Sequence, residues 1–376
     1  TADTTSGTDA YLWANSSNSE VNSTAYGGPN ATGFTAYYGA SQSYIYIAIR
    51  RGPMKVPTSG TSVFSPNAYT GNSTTNTTVQ NLTTSFAGDT VIIQQRDGGN
   101  NPLVFDKLRG NTQGLYTSLT LAEENIAATR AGQSVGFNNT QTVLTGQYTN
   151  QGNYNYSATP FVGWNFRRAP GFFDEVCYTG TGAAMTVSHN LGAVPELIIL
   201  KSRSAAQSWM VYVSPLGNNK YLSLNSSFES DDAGLRWNDT TPTSSVFSVG
   251  KFSGTTPYSS ASGSTYVAYL FATLAGVSKV GSYTGTATTL QIDCGFTAGA
   301  RFVLIKRTDS TGDWYVWDSA RGIVAGNDPY LLLNSTAAEV TSTDYVDTYS
   351  AGFEISSTAP AAINASGGSF IFLAIA

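Results

Sequence analysis

The sequence predicts an all-β protein made of tandem antiparallel β-sandwich modules, jelly-roll-like and about 105 residues each. Three observations carry that prediction. One order of blocks recurs along the chain. The blocks are short runs of β-branched and aromatic residues. Turn signals such as Asp97-Gly98-Gly99-Asn100, Leu216-Gly217-Asn218-Asn219 and Gly326-Asn327-Asp328-Pro329 separate them. With charged residues at 11% and aromatics at 12%, the chain can fill cores but lacks the Glu, Lys and Arg that coat the solvent faces of a helix-rich enzyme.

The last copy shows the block order best: the apolar strand Phe302 to Arg307, the tryptophan block Asp313 to Gly322, then Tyr330-Leu331-Leu332-Leu333, then Gly352-Phe353-Glu354-Ile355, then the closing strand Phe370 to Ile375. Tyr283-Thr284-Gly285 repeats Tyr178-Thr179-Gly180 (283 − 178 = 105), and Tyr69-Thr70-Gly71 opens the copy before. Val91-Ile92-Ile93, Leu197-Ile198-Ile199 and Phe302-Val303-Leu304 keep the same period. The middle block reads as Tyr11, Tyr116, Tyr221 and Tyr330, followed by Glu20, Glu124, Glu229 and Glu339, which the pattern assigns to turn capping.

In chain order, residues 1–51 read as a half-repeat, the C-terminal half of a module, closed by Tyr44 to Ile49. Half a module cannot bury its own core, so something outside it is expected to complete it. The opening on Thr1, with no charged and apolar signal region, reads as a beginning that has been removed. Residues 52–62 are a proline-pinned linker. Residues 63–169, 170–272 and 273–376 are three full sandwich repeats. The first lacks the tryptophan block, having Leu103-Val104-Phe105-Asp106 there, and its Leu119 to Ile126 is the one passage of helical character. Tyr266 to Phe271 has no polar face, as expected of a strand central in a sandwich or set against a neighbouring subunit.

Several functions are disfavoured by composition. A net charge of −5 and scattered Lys and Arg do not make a nucleic-acid groove. No apolar run approaches the roughly 18–20 residues of a membrane span. The one histidine, His189, cannot build a triad or a histidine-rich metal site, and reads as a hydrogen-bonded turn residue. Asp231-Asp232 and Glu123-Glu124 are adjacent acids that point to opposite strand faces, unlike the facing pair of a glycosidase. Cys177 and Cys294 are not repeat-equivalent and read as free thiols. Arg50-Arg51 and Arg167-Arg168 read as solvated or ion-paired linkers, and Trp209, Trp314 and Trp317 as core packing. No cofactor or metal is implied. The candidates for contact with a glycan or receptor are Tyr148, Asn153, Tyr154 and Tyr156, in the irregular aromatic stretch of the first full repeat.

Trp164 to Gly182, Val187-Ser188-His189-Asn190-Leu191-Gly192 with Pro195 to Ile199, and Tyr44 to Lys55 resemble an uncharacterised repeat-domain family in virion proteins of tailed, especially marine, bacteriophages. The resemblance covers roughly residues 40–376. It implies a non-enzymatic virion structural protein at the virion surface or outside the cell, a tail fibre or other appendage mediating host attachment. Its expected partners are copies of itself, other virion proteins and a host surface glycan or receptor. The alternatives are a capsid decoration protein, a self-assembling filament or surface-layer subunit, and a glycan-depolymerising tailspike. Repeated sandwiches would supply length and stiffness, and two-sided apolar strands would supply subunit contacts.

Overall fold

The computed structural model separates the chain into two compact units, Thr1–Met54 and Lys55–Ala376. It describes residues 9–11, 17, 21–24, 27–30 and 33–36 of the first unit. In the second it describes all but 76, 130–131, 147–153, 233, 235 and 251–258. In the first unit Asp9–Tyr11 pairs antiparallel with Val21–Thr24, and Gly27–Asn30 with Gly33–Ala36. The expected closing strand at Tyr44 to Ile49 lies outside the described residues.

In the second unit every sheet keeps its strands within one repeat, and each repeat is a two-sheet antiparallel sandwich. In the third module the large sheet runs in the order Ser278–Thr284, Ser369–Ile375, Phe302–Arg307, Tyr315–Asp318, Leu331–Leu332. The small sheet is Leu290–Asp293, Gly352–Ile355, Val346–Tyr349. The other two modules repeat the large sheet and add a sixth strand, Glu124–Asn125 in the first and Asp231–Asp232 in the second. The period of two puts Val303, Ile305, Tyr315, Trp317, Phe370 and Phe372 into the core between the sheets. Leu82, Val91, Ile93 and Phe161 fill the first module, and Ile198, Leu200, Tyr212 and Tyr266 the second.

The Tyr-Thr-Gly signature has a physical reason that recurs in each module. The tyrosine hydroxyl crosses the sandwich to a backbone carbonyl ahead of the closing strand: Tyr69 to Tyr154 O at 2.5 Å, Tyr178 to Ser259 O at 2.7 Å, Tyr283 to Ile363 O at 2.7 Å. The glycine admits that loop, because a Cβ on Gly71, Gly180 or Gly285 would stand 2.0–2.3 Å from a carbonyl oxygen.

The other face of the large sheets is equally apolar. The structure covers it with neighbouring modules of the same chain rather than a second subunit. The modules are therefore not strung into a stiff rod; they close on one another around a pseudo-threefold axis. Phe166 of the first module lies 5.7 Å from Phe271 of the second and 6.1 Å from Phe302 of the third, ring centre to ring centre. Each such side chain removed from water stabilises by roughly 1.5–3 kcal/mol. The axis also holds Ile92, Ile199 and Leu304, equivalent residues of the three modules, around a small apolar cavity of about 40 Å³. At the closure the carbonyl of the final Ala376 lies so near Gly60 that a Cβ there would approach it to 1.8 Å, and Arg301 donates to Phe64 O at 3.2 Å.

Two local expectations are corrected. Leu119 to Ile126 is not a helix: the helical turn there is Ile126–Thr129, preceded by the short strand Glu124–Asn125, and a second helical turn is Ala361–Asn364. The repeat register in the middle block also shifts. Val104 pairs with Leu115, Val211 with Leu222 and Val316 with Leu331. The residues equivalent to Tyr221 and Tyr330 are thus Gly114, not Tyr116. The acid position is Glu123, Ser230 and Glu339, since their N–H groups donate to Arg203 O, Thr308 O and Arg96 O of the next module around the ring. A one-residue slip is invisible in composition because acids stand side by side at Glu123-Glu124.

Candidate functional site

Two of the three seams between modules hold buried networks of polar and charged side chains. At the first-to-second seam Tyr269 donates to Asp106 Oδ2 at 2.6 Å, Arg109 bonds Asp106 at 2.5 Å and Glu123 at 3.1 Å, and Arg203 bonds Glu123 at 2.8 Å. The third-to-first seam repeats the pattern. Trp164 Nε1 donates to Asp318 Oδ2 at 2.8 Å, Arg321 bonds Asp318 at 2.6 Å and Glu339 at 3.0 Å, and Arg96 bonds Glu339 at 2.7 Å. Burial opposes the charge on Arg109, yet Asp106, Tyr269 and Glu123 beside it raise its pKa.

Two further buried groups belong to this architecture. Glu175 accepts the Thr90 hydroxyl across the seam. Burial, then the nearby Asp106 and Asp89, raise its pKa well above the usual carboxylate range and favour the neutral acid. Lys201 donates to Thr120 O and Ser202 O, and Lys306 to Ser227 O and Gly312 O. Burial pulls both ammonium groups down to about 8. Trp209 and Trp314, expected as core packing, are buried and also join modules: their Nε1 groups donate to Tyr116 O at 2.8 Å and Ser223 O at 2.9 Å.

Of the residues singled out from sequence as receptor contacts, Tyr148 and Asn153 lie outside the described residues. Tyr154 is fully buried in the first module's core. Its hydroxyl donates to the carbonyls of Ser134 and Thr145, at 3.1 and 3.0 Å, and its ring meets Phe105 edge-on at 5.4 Å. It occupies the position of Ile363 in the third module, which explains why an apolar ring is needed there and removes it from the surface. Tyr156 is 43% exposed and remains available.

The other sequence expectations fall into place as structural features. His189 is buried in a turn, its ring bonded to Thr243 O and to the Leu191 N–H, and burial lowers its pKa. Asp231 and Asp232 are exposed, with Lys220 on Asp232 at 2.8 Å. Arg168 pairs with Asp174 at 2.6 Å. Cys177 and Cys294 are free, and burial pushes both thiols up to about 12, so neither is an activated nucleophile.

Two surface features were not legible in the sequence. One is an open, largely polar groove of about 630 Å³ at the seam of the second and third modules, lined by Glu196, Lys279, Ser282, Gln291, Asp293 and Phe372 among others. It forms from two modules, so no single repeat announces it. The other is a corner of the third module where Asp328, Asp344 and Asp347 each bring a carboxylate oxygen within 4.8 Å of the others. Its only sequence trace is an acid in a Gly-Asn-Asp-Pro turn and a pair spaced by three. Equivalent loops also expose Leu121 and Phe228, at 51% and 74% exposure. Among the described residues no helix is long and apolar enough to cross a membrane.

A family model described as "Domain of unknown function (DUF7483)" matches residues 59–376. It begins at the foot of the first full module and so spans the whole three-module ring. No curated protein matches the chain.

Proposed function

We propose that this chain, which belongs to the DUF7483 family, is a non-enzymatic structural protein of a bacteriophage virion, a tail-fibre or appendage subunit that presents a rigid three-module body to a host surface. One observation carries the reading: the best-aligned networks of buried tyrosine, tryptophan, arginine and acidic side chains join modules to each other, and the surface offers an open polar groove and a few exposed apolar residues. Such a surface suits contact with glycans and proteins rather than glycoside hydrolysis, which needs two facing acids at a fixed separation. The resemblance of Trp164 to Gly182 to virion proteins supports the location at the virion surface. Tyr156 and the groove are the candidate glycan contacts. Leu121 and Phe228 are the candidate contacts with another copy or another virion protein.

The test is the mass of the purified chain by light scattering over a concentration series, with the double variant Leu121→Ser, Phe228→Ser beside it. A fixed small oligomer that the double variant reduces to monomer supports the appendage reading. Growth without limit favours a filament or surface lattice, and a wild-type monomer favours a decoration protein. Release of sugar from host envelope by the purified chain would overturn the non-enzymatic reading in favour of a tailspike.

A further inference from the structure

The acidic corner of the third module is built as a receptacle. Asp328 sits in the turn leading into Leu331–Leu332, and Asp344 and Asp347 flank the start of Val346–Tyr349. Asp328 is fully buried. Its Oδ2 accepts the N–H groups of Tyr345 and Val346, at 2.8 and 2.7 Å, while its Oδ1 is buried with no donor. Asp344 Oδ1 is likewise buried and unmet. A buried carboxylate oxygen that no donor satisfies is costly to desolvate.

The charges acting on Asp328 and Asp347 are negative ones. Asp344 and Glu354 both act on Asp347, and Glu354 pairs with it across the sheet. Glu354 is itself bonded by Gln291 at 2.8 Å. The nearby Arg321 is held by Asp318 and Glu339. Burial, and then Asp347 and Asp344, raise the Asp328 carboxyl to about 6, against the two N–H bonds that favour its charged form. Asp347 is raised by burial, by charge and by a hydrogen bond with Asp344. Three carboxyls gathered this way require either protons or a cation.

We propose that Asp328, Asp344 and Asp347 bind one calcium ion. Ca²⁺ takes oxygen ligands at about 2.3–2.6 Å in adaptable geometry, so carboxylate oxygens within 4.8 Å of one another can share it. Asp328 Oδ1 and Asp344 Oδ1 supply the two oxygens that lack other donors. The ion ties the Gly326 to Pro329 turn to the edge of the small sheet. That turn lies on the loop carrying Arg321, so calcium also stiffens the third-to-first seam. The ring contains its own controls, because Asn219 and Thr112 stand at the position of Asp328 in the other two modules.

The experiment is calorimetric titration of the EDTA-treated full chain with CaCl₂, together with Tb³⁺ luminescence sensitised by the adjacent Tyr345. One saturable site per chain is expected. Asp344→Asn, whose lost oxygen has no protein donor, is expected to weaken binding by about tenfold or more while leaving the melting temperature in EDTA at or above wild type. Asp347→Asn is expected to act in the same direction. Absence of saturable binding by the wild type up to millimolar Ca²⁺ would overturn the proposal. So would an Asp344→Asn, Asp347→Asn double variant that keeps both its Ca²⁺ affinity and its Tb³⁺ signal.

Discussion

Among the described residues, two of the ring's seams are joined by buried ion networks and one is not. At the second-to-third seam, the positions held by Tyr269, Asp106, Arg109, Glu123 and Arg203 elsewhere carry Leu373, Val213, Leu216, Ser230 and Thr308. The backbone bond from Ser230 to Thr308 O persists at 2.9 Å, as do the Lys306 and Trp314 bonds to carbonyls. The same fold therefore closes with or without a five-member polar chain. The invariant part of the seam is apolar burial plus backbone pairing. The charges fix which acid meets which arginine and add little net stability, since desolvating them offsets much of their attraction.

The largest effect that tests this comparison comes from breaking a network by half. Asp106→Ala or Asp318→Ala strands a fully buried arginine and is expected to lower unfolding free energy by about 3–5 kcal/mol in denaturant melts. Val213→Ala at the equivalent place is expected to cost less. Replacing all five residues of the first-to-second network with their second-to-third counterparts is expected to restore most of the loss. A five-fold variant less stable than Asp106→Ala alone would show that the ion network, not apolar burial, closes that seam.

The next effect is a pH dependence confined to the two seams that carry lysine. Lys201 and Lys306 have folded pKa values lowered to about 8 from an ordinary value near 10.5, so the folded state disfavours their charge. Between these values the unfolded chain binds more protons than the folded one, and stability rises with pH. Each lysine recovers at most ~3 kcal/mol, at about 1.4 kcal/mol per pKa unit. The gain ends where the buried tyrosines, whose pKa values burial has raised, begin to favour the unfolded state above about pH 10. Lys306→Met and Lys201→Met should each flatten the rise between pH 8 and 10. The third-to-first seam has Gln94 in this role, donating to Leu332 O at 3.1 Å, and Gln94→Met should leave the slope untouched. Unchanged slopes in both lysine variants would sink this account.

The smallest effect separates the first module from its siblings along the axis. Thr117 stands where the others have Leu224 and Leu333, and its hydroxyl donates to Leu333 O at 2.6 Å. Thr117→Val keeps the shape and removes that bond, with an expected cost of about 1 kcal/mol in the same melts. A stabilised variant would mean that the axis prefers a wholly apolar lining.

The legible part of the molecule is what local pattern encodes. Alternation along Phe370 to Ile375 and the apolar run Leu197 to Leu200 named the strands, because side chains in a strand repeat every two residues. Tyr-Thr-Gly marked each module through a hydroxyl that needs a carbonyl and a glycine that needs room. Turn residues set the boundaries.

By itself, then, the sequence determined the all-β class and the apolar strands that build it. Only the tertiary structure decided that the modules close into a ring, that Tyr154 is buried where Tyr156 is exposed, that Glu123 rather than Glu124 crosses the seam, and that Asp328 meets Asp344 and Asp347. The reason is one of range. A period of two states that a strand has two apolar faces, but what covers the second face depends on surfaces more than a hundred residues apart in the chain. Residues that are neighbours in sequence are then assigned opposite fates by a single step of register.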